Sequence, residues 1–367
     1  MKKEMISTRS AGSLMVMTVV CFSVLMGTGT AKQDLWISLL LSALIFFPII
    51  LIYSRICALF PQKGLYEIIQ SLFGKVISFF LIFIFAVYAL IISALTLRNF
   101  VEFTVVIALE DTPRIILMIA IMLVVVSLVQ KGMSVFGKWS AVICIVILVN
   151  ILFSILLSFD TIKFSHIKPI MDHGLPEITG NATSIGAISI GETVLLMTVM
   201  GHVKSKKASY KVYLGGLLVG IITLTLVALR NLLILGPEMV AAASFTGYIA
   251  VRIIHLGTFF ERLESIISFN LILMGITKIA LCLTAATMGT AKLLKTADYR
   301  KLILPVSLLA LAICSVVFKT AYEMFDFARI YKYIAFPIQI VIPIFIWIVA
   351  EVKVRKGNIS QIEEVQE

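Results

Sequence analysis

Long apolar runs, separated by short clusters of charge, follow one another along nearly the whole chain. Many of the runs come near the roughly 17 to 25 residues that an α-helix needs to cross a bilayer. They lack the short alternating segments of a transmembrane barrel. The pattern predicts ten spans, at about 10–30, 36–58, 76–97, 114–130, 137–158, 183–202, 211–234, 259–287, 302–318 and 333–351. The third is expected to continue as helix through Leu109, and the eighth is long enough to tilt or to run past the membrane. The first run is too long for a cleaved signal peptide, and Lys32-Gln33-Asp34 lacks the small residues of a cleavage site.

Composition agrees with that solvent. The chain has 367 residues, 60% of them hydrophobic and 14% charged, against about 25% charged in soluble domains. Its mean hydropathy is +1.07. The fold class is therefore all-α, a polytopic membrane protein. Residues 1–355 form one transmembrane domain and 356–367 a short cytoplasmic tail. Most of the 31 Lys and Arg fall on the side of both termini, among them Lys204, Lys206, Lys207 and Lys211 in one loop. Both termini are expected to be cytoplasmic on that count. The net charge of +11 then reads as topology and contact with anionic lipids, not as nucleic-acid binding.

Little chemistry of the enzymatic kind is visible. The five cysteines, Cys21, Cys57, Cys144, Cys282 and Cys314, are scattered and read as small buried hydrophobes. The four histidines make no CxxC or HExxH pattern, so no metal is expected. No P-loop, no GxSxG and no soluble domain appear, so neither a cofactor nor an enzyme is expected.

Two polar interruptions stand out within the spans. The first run ends CFSVLMGTGTAKQD, with Gly27, Thr28, Gly29 and Thr30 just before the first charge. The sixth reads TSIGAISIGETVLLMTVMGH, in which Ser189, Gly191, Glu192 and Thr193 fall near the centre. Irregular backbone survives in hydrocarbon only where protein or water covers it. Glycine permits unusual dihedrals, and a threonine hydroxyl can answer a freed carbonyl. Each patch reads either as a helix break or as close helix packing. Five spans separate the two, so halves at about 10–158 and 183–351 would run in opposite orientations. Paired interrupted helices of that kind point to a transporter binding site.

Buried charge adds candidates. Glu192 at mid-bilayer costs roughly 2.5 kcal/mol or more, so it should face the bundle or water. It either meets a ligand or a proton, or ties helices together. Lys278, in NLILMGITKIALCL, snorkels to the cytoplasmic side, pairs with a carboxylate, or takes part in coupling. Asn270, a little over two turns earlier, and Tyr88 in the third span are candidate cavity residues. Arg98 and Glu102 share a helix face at the outer edge and read as an interfacial salt bridge, an outer gate or a contact with a partner subunit. The loop at 160–181 and the stretch 237–258 are the long outer connections. The segments 60–75 and 241–260 are expected to lie as short helices at the inner and outer surfaces.

The chain resembles the spore germination permeases, the B subunits of endospore nutrient-germinant receptors, within the amino acid-polyamine-organocation transporter superfamily. The resemblance rests on the length, the ten spans, the SxRSAGSLMVMTVV start, FPQKGLYEIIQSLFGK and IGETVLLMTVM. It implies an inverted five-plus-five repeat with discontinuous helices 1 and 6 around a small-molecule site, also lined by helices 3 and 8. It further implies a nutrient ligand such as an amino acid, a larger membrane A subunit, a lipoprotein C subunit, and residence in the inner membrane of a bacterial spore. Three function classes follow: a germinant-sensing receptor subunit, a proton- or ion-coupled amino-acid transporter, and a membrane scaffold without a ligand.

Overall fold

The computed structural model describes residues 4–28, 32–107, 109, 111–172, 174–205, 207–253 and 263–355. Helices account for nearly all of them. Among the described residues no strand forms, and Ile6 and Val203 make one isolated bridge. Nine helices there are long and apolar enough to cross a membrane, and Arg114–Gln130 is a shorter apolar tenth. The protein is polytopic and all-α.

The first span is α1 (Thr8–Val20) followed by a 3₁₀ stretch, Cys21–Thr28. Ser7 caps it, its hydroxyl accepting from the Ser10 N–H at 3.0 Å. The second span is α2 (Leu35–Leu59), and a short surface helix, α3 (Leu65–Leu72), follows where 60–75 predicted one. Glu67 caps α3 by accepting from the Gly64 N–H at 3.0 Å. Spans three to five are α4 (Lys75–Ile107), α5 (Arg114–Gln130) and α6 (Met133–Leu156). The sixth span is split into α7 (Leu175–Ser189), a 3₁₀ stretch at Gly191–Leu196 and α8 (Met197–Met200). The seventh is α9 (Ala208–Leu235); α10 (Pro237–Ala242) and α11 (Thr246–Arg252) then lie on the connection to the eighth span. The eighth and ninth are α12 (Leu263–Leu293) and α13 (Ile303–Val316). The tenth is α14 (Ala321–Phe336), a π-helical turn at Pro337–Val341 and α15 (Ile342–Arg355).

Two boundaries differ from the sequence pattern. The sixth span begins at Leu175, so Asn181 is a buried helical residue and not part of an outer loop. The tenth begins at Ala321, a dozen residues before its apolar run. Its first turns are amphipathic and pack inward through Met324, Ala328 and Tyr331. Hydropathy alone does not register such a start.

The first and sixth spans, with the eighth, occupy the centre. In their apolar windows 89% of the sixth and 78% of the first are buried, against 28% of the fifth, ninth and tenth. The outer spans face lipid with side chains such as Leu44, Phe80 and Val316. Glycines bring the inner helices close. Met15 and Val19 of α1 rest on Gly216 and Gly220 of α9, a GLLVG stretch with the small-xxx-small spacing of membrane helix pairs. Phe100 of α4 rests likewise on Gly275 of α12. All five cysteines are free and buried, as their scatter predicted.

Candidate functional site

An interrupted helix leaves carbonyls without partners, and each costs several kcal/mol in hydrocarbon unless another group answers it. Around the sixth span the answers come from four other spans. Gln339 Nε2 donates to the Ala187 carbonyl at 2.8 Å, and Lys278 Nζ to that of Ile188 at 3.4 Å. The single Tyr53 proton is shared between the Gly191 carbonyl, at 3.5 Å, and the main-chain carbonyl of Gln339, and Tyr213 donates to Thr193 at 3.3 Å. The Thr193 hydroxyl turns back on the Ile190 carbonyl at 2.6 Å. Ser189 reaches the first span, donating to the Val19 carbonyl at 3.1 Å. The two breaks are thereby tied to each other.

Glu192 sits on the 3₁₀ stretch and Lys278 on α12, and the two form an ion pair at 2.5 Å. Both are buried, at 5% and 4% exposure. Of the readings open for Lys278, snorkelling does not occur: its stem turns into the bundle. Beside the pair, Tyr331 of α14 faces the Glu192 carboxylate. Its hydroxyl lies 2.7 Å from that of Tyr88, which in turn accepts from Gln339 Nε2 at 2.7 Å. Gln339 is the buried residue of the π-helical turn, which lies between two prolines, Pro337 and Pro343. Such turns occur often at functional sites.

Between the two breaks lies a cavity of about 40 Å³, with Cys21 and Leu25 on the first span, Asn99 on the third, and Glu192, Lys278 and Tyr331 around it. That volume holds a few waters. Phe22, Ile188 and Ala328 separate it from a second pocket of about 230 Å³ lined by Asn181, Arg329 and Lys332. The arrangement offers opposite charges, a hydroxyl and an apolar wall to whatever enters between the broken helices.

The structure places the sequence-derived residues at several separate locations. Glu192 and Lys278 meet at the cavity, and Ser189, Gly191 and Thr193 build the break beside it. Gly27 and Thr28 lie in the 3₁₀ stretch of the first span, whereas Gly29 and Thr30 lie outside the described residues. Tyr88 stands behind Tyr331 and Gln339 and reaches the cavity only through them. Asn270 lines a different cavity and accepts from Asn150 at 2.9 Å. Arg98 and Glu102 do pair, at 2.7 Å, but inside the bundle and not at its surface, with exposures of 3% and 0%. Arg114 completes the group by a second bond to Glu102 at 2.8 Å. Gln339, Tyr331 and Tyr53 escaped the sequence reading. Gln339 carried a signal: it is the lone amide in the run IAFPIQIVIPIF.

The comparisons with known proteins agree with this architecture. The chain is 25% identical to spore germination protein KB of Bacillus subtilis (strain 168), over 100% of both chains. It is 22% identical to the putative spore germination protein YfkT of the same organism, over 89% of this chain and 90% of that one. Spore germination protein XB of Bacillus anthracis matches at 24% over 63% and 64%. Among solved structures, MHP1, a nucleobase-cation-symport-1 family transporter in a closed conformation with bromovinylhydantoin bound, shares the fold with a TM-score of 0.68. It covers 89% of this chain and 75% of its own, at 10% identity. The family model described as spore germination protein matches residues 5–324, and the chain belongs to that family.

Proposed function

We propose that the chain is the membrane subunit of a nutrient-germinant receptor. It binds a small nutrient such as an amino acid between the breaks of helices 1 and 6, in the inner membrane of a spore. A larger membrane A subunit and a lipoprotein C subunit are its proposed partners. The observation that carries the reading is the Glu192–Lys278 pair facing the cavity. A zwitterionic ligand can exchange each half of that pair for its own opposite charge, its ammonium against Glu192 and its carboxylate against Lys278. Buried charges tolerate such an exchange because each keeps a partner throughout.

The cavity of about 40 Å³ is smaller than an amino acid requires, so entry must move its walls. The wall of Phe22, Ile188 and Ala328 joins spans one, six and ten. A ligand that parts it would shift the broken helices together, and that displacement is what partner subunits would read. The signal then equals the difference in ligand affinity between the narrow and the widened state.

The test uses Glu192→Gln combined with Lys278→Met, which leaves no unpaired charge. The expected result is normal membrane abundance with the nutrient response lost or its midpoint raised at least tenfold. A wild-type dose-response at equal abundance would reject the site. The fold shared with MHP1 favours a second reading, a proton- or ion-coupled amino-acid transporter. Uptake of labelled amino acids by proteoliposomes holding the purified chain separates the two: accumulation above empty vesicles supports transport.

A further inference from the structure

Three cations are deeply buried among the described residues: Arg98, Arg230 and Lys278, each at 3% or 4% exposure. Arg98 has Glu102 and Lys278 has Glu192. Arg230, on α9, has no carboxylate within ion-pair distance among the described residues. Among the described residues its guanidinium is held by neutral groups. Nε and Nη2 reach Asn231 Oδ1 at 3.2 and 2.7 Å, Nη1 reaches Ser154 Oγ at 2.7 Å, and Nη2 reaches the Gly247 carbonyl at 3.3 Å. These contacts leave one of the five guanidinium hydrogens unused. A charge taken out of water costs several kcal/mol, and neutral acceptors do not cancel it.

The surroundings of Arg230 are rich in unused donors. It lines a cavity of about 30 Å³ together with Ser23, Asn270, Phe103, Phe245 and Tyr248. The Ser23 hydroxyl and the Asn270 amide nitrogen are both buried without a hydrogen-bond partner among the described residues. Asn270 itself is 2% exposed, and its oxygen is taken by Asn150. One cation and two orphan donors from three different spans therefore share one small, otherwise apolar space. Water would satisfy the donors and leave the charge uncompensated.

We propose that this cavity binds a small monovalent anion of chloride's size, with Arg230 as counter-charge and Ser23 and Asn270 as donors. The volume admits a halide and excludes organic anions such as gluconate. Ser23 lies on the 3₁₀ stretch of the first span, and Asn270 on the same helix as Lys278. A bound anion would therefore brace the break of helix 1 against helices 7 and 8, separately from the nutrient cavity.

The test is the thermal unfolding of the purified full-length chain in detergent, in sodium chloride and in sodium gluconate at equal ionic strength. Saturable binding of radiochloride is measured beside it. Chloride should raise the melting temperature by about 2 °C or more, since a ligand bound only by the folded state stabilises it. Arg230→Gln should abolish both the shift and the binding. Should that variant not fold, Asn270→Leu and Ser23→Ala each remove one donor, and each should weaken chloride binding at least threefold. Equal melting temperatures in the two salts, with no saturable radiochloride binding by the wild type, would overturn the proposal. So would chloride binding unchanged in Asn270→Leu and Ser23→Ala.

Discussion

The side-chain oxygen of Gln339 occupies the space into which a β-carbon on Gly191 would project. The same amide donates through its nitrogen to the Ala187 carbonyl and to Tyr88, and the main-chain carbonyl of Gln339 accepts from the Tyr53 hydroxyl. One glycine on the sixth span and one glutamine on the tenth thus make room for each other. Around them, the broken helix finds its hydrogen bonds.

Gly191→Ala should therefore displace the Gln339 amide and free the Ala187 carbonyl. Overpacking of this kind costs about 1–3 kcal/mol. The expected outcome is reduced membrane abundance and a lower unfolding temperature. Gly191→Ala with Gln339→Ala should recover part of the overpacking cost, and the double variant compared with the two singles measures the coupling.

Single changes at the Glu192–Lys278 pair should be worse than the double change. Glu192→Gln leaves an ammonium buried without a counter-charge, and Lys278→Met leaves a carboxylate in the same position. Breaking a buried pair from one side costs about 3–5 kcal/mol, whereas replacing both members is often near neutral. Abundance in isolated membranes, read for each single variant and for the double, checks the ordering.

At the N-terminal end of the first span, Glu4 joins three elements. It pairs with Arg300, accepts from the Ser134 N–H at 3.1 Å, and its carbonyl meets His202 Nδ1 at 2.8 Å. Burial raises the Glu4 carboxyl, but the backbone N–H of Ser134 and the Arg300 guanidinium outweigh it, so the pKa is below its ordinary value. A depressed carboxylate stabilises the fold above its unfolded pKa of about 4.3 and loses that contribution as pH falls through the folded value. Wild type should melt above Glu4→Gln at pH 7, and the two should converge only as the pH falls through the lowered folded value of Glu4. A gap that persists at acid pH would contradict the charged contact.

The basic loops make both termini cytoplasmic in the topology proposed here. The five native cysteines are buried and should resist membrane-impermeant maleimide. Phe164 and Leu294 are 72% and 64% exposed on opposite sides of the proposed arrangement. Phe164→Cys should label in intact cells and Leu294→Cys only after permeabilisation. The reverse pattern would invert the map.

Much of the architecture is set by the linear order of residues, because hydrocarbon leaves a backbone few choices. A long apolar run there must be helical, and a glycine-rich polar patch inside one is tolerated only where protein covers it. The ten spans and the interruptions near Ser189–Thr193 were legible for that reason, as was the inward orientation of Glu192. The partners were not. Lys278 was equally free to snorkel, and only the seating of α12 brings its ammonium to Glu192. Arg98 and Glu102 looked interfacial because they follow an apolar run, yet α4 stays buried inside the bundle through Val105. Tyr331 precedes the apolar run of its span, and Gln339 meets the carbonyl of a residue 152 positions earlier. Which freed carbonyl finds which donor depends on how helices from distant parts of the chain pack. Tertiary structure alone decides that, since hydrogen bonds and buried ion pairs are made across a few ångströms, whatever the separation along the sequence.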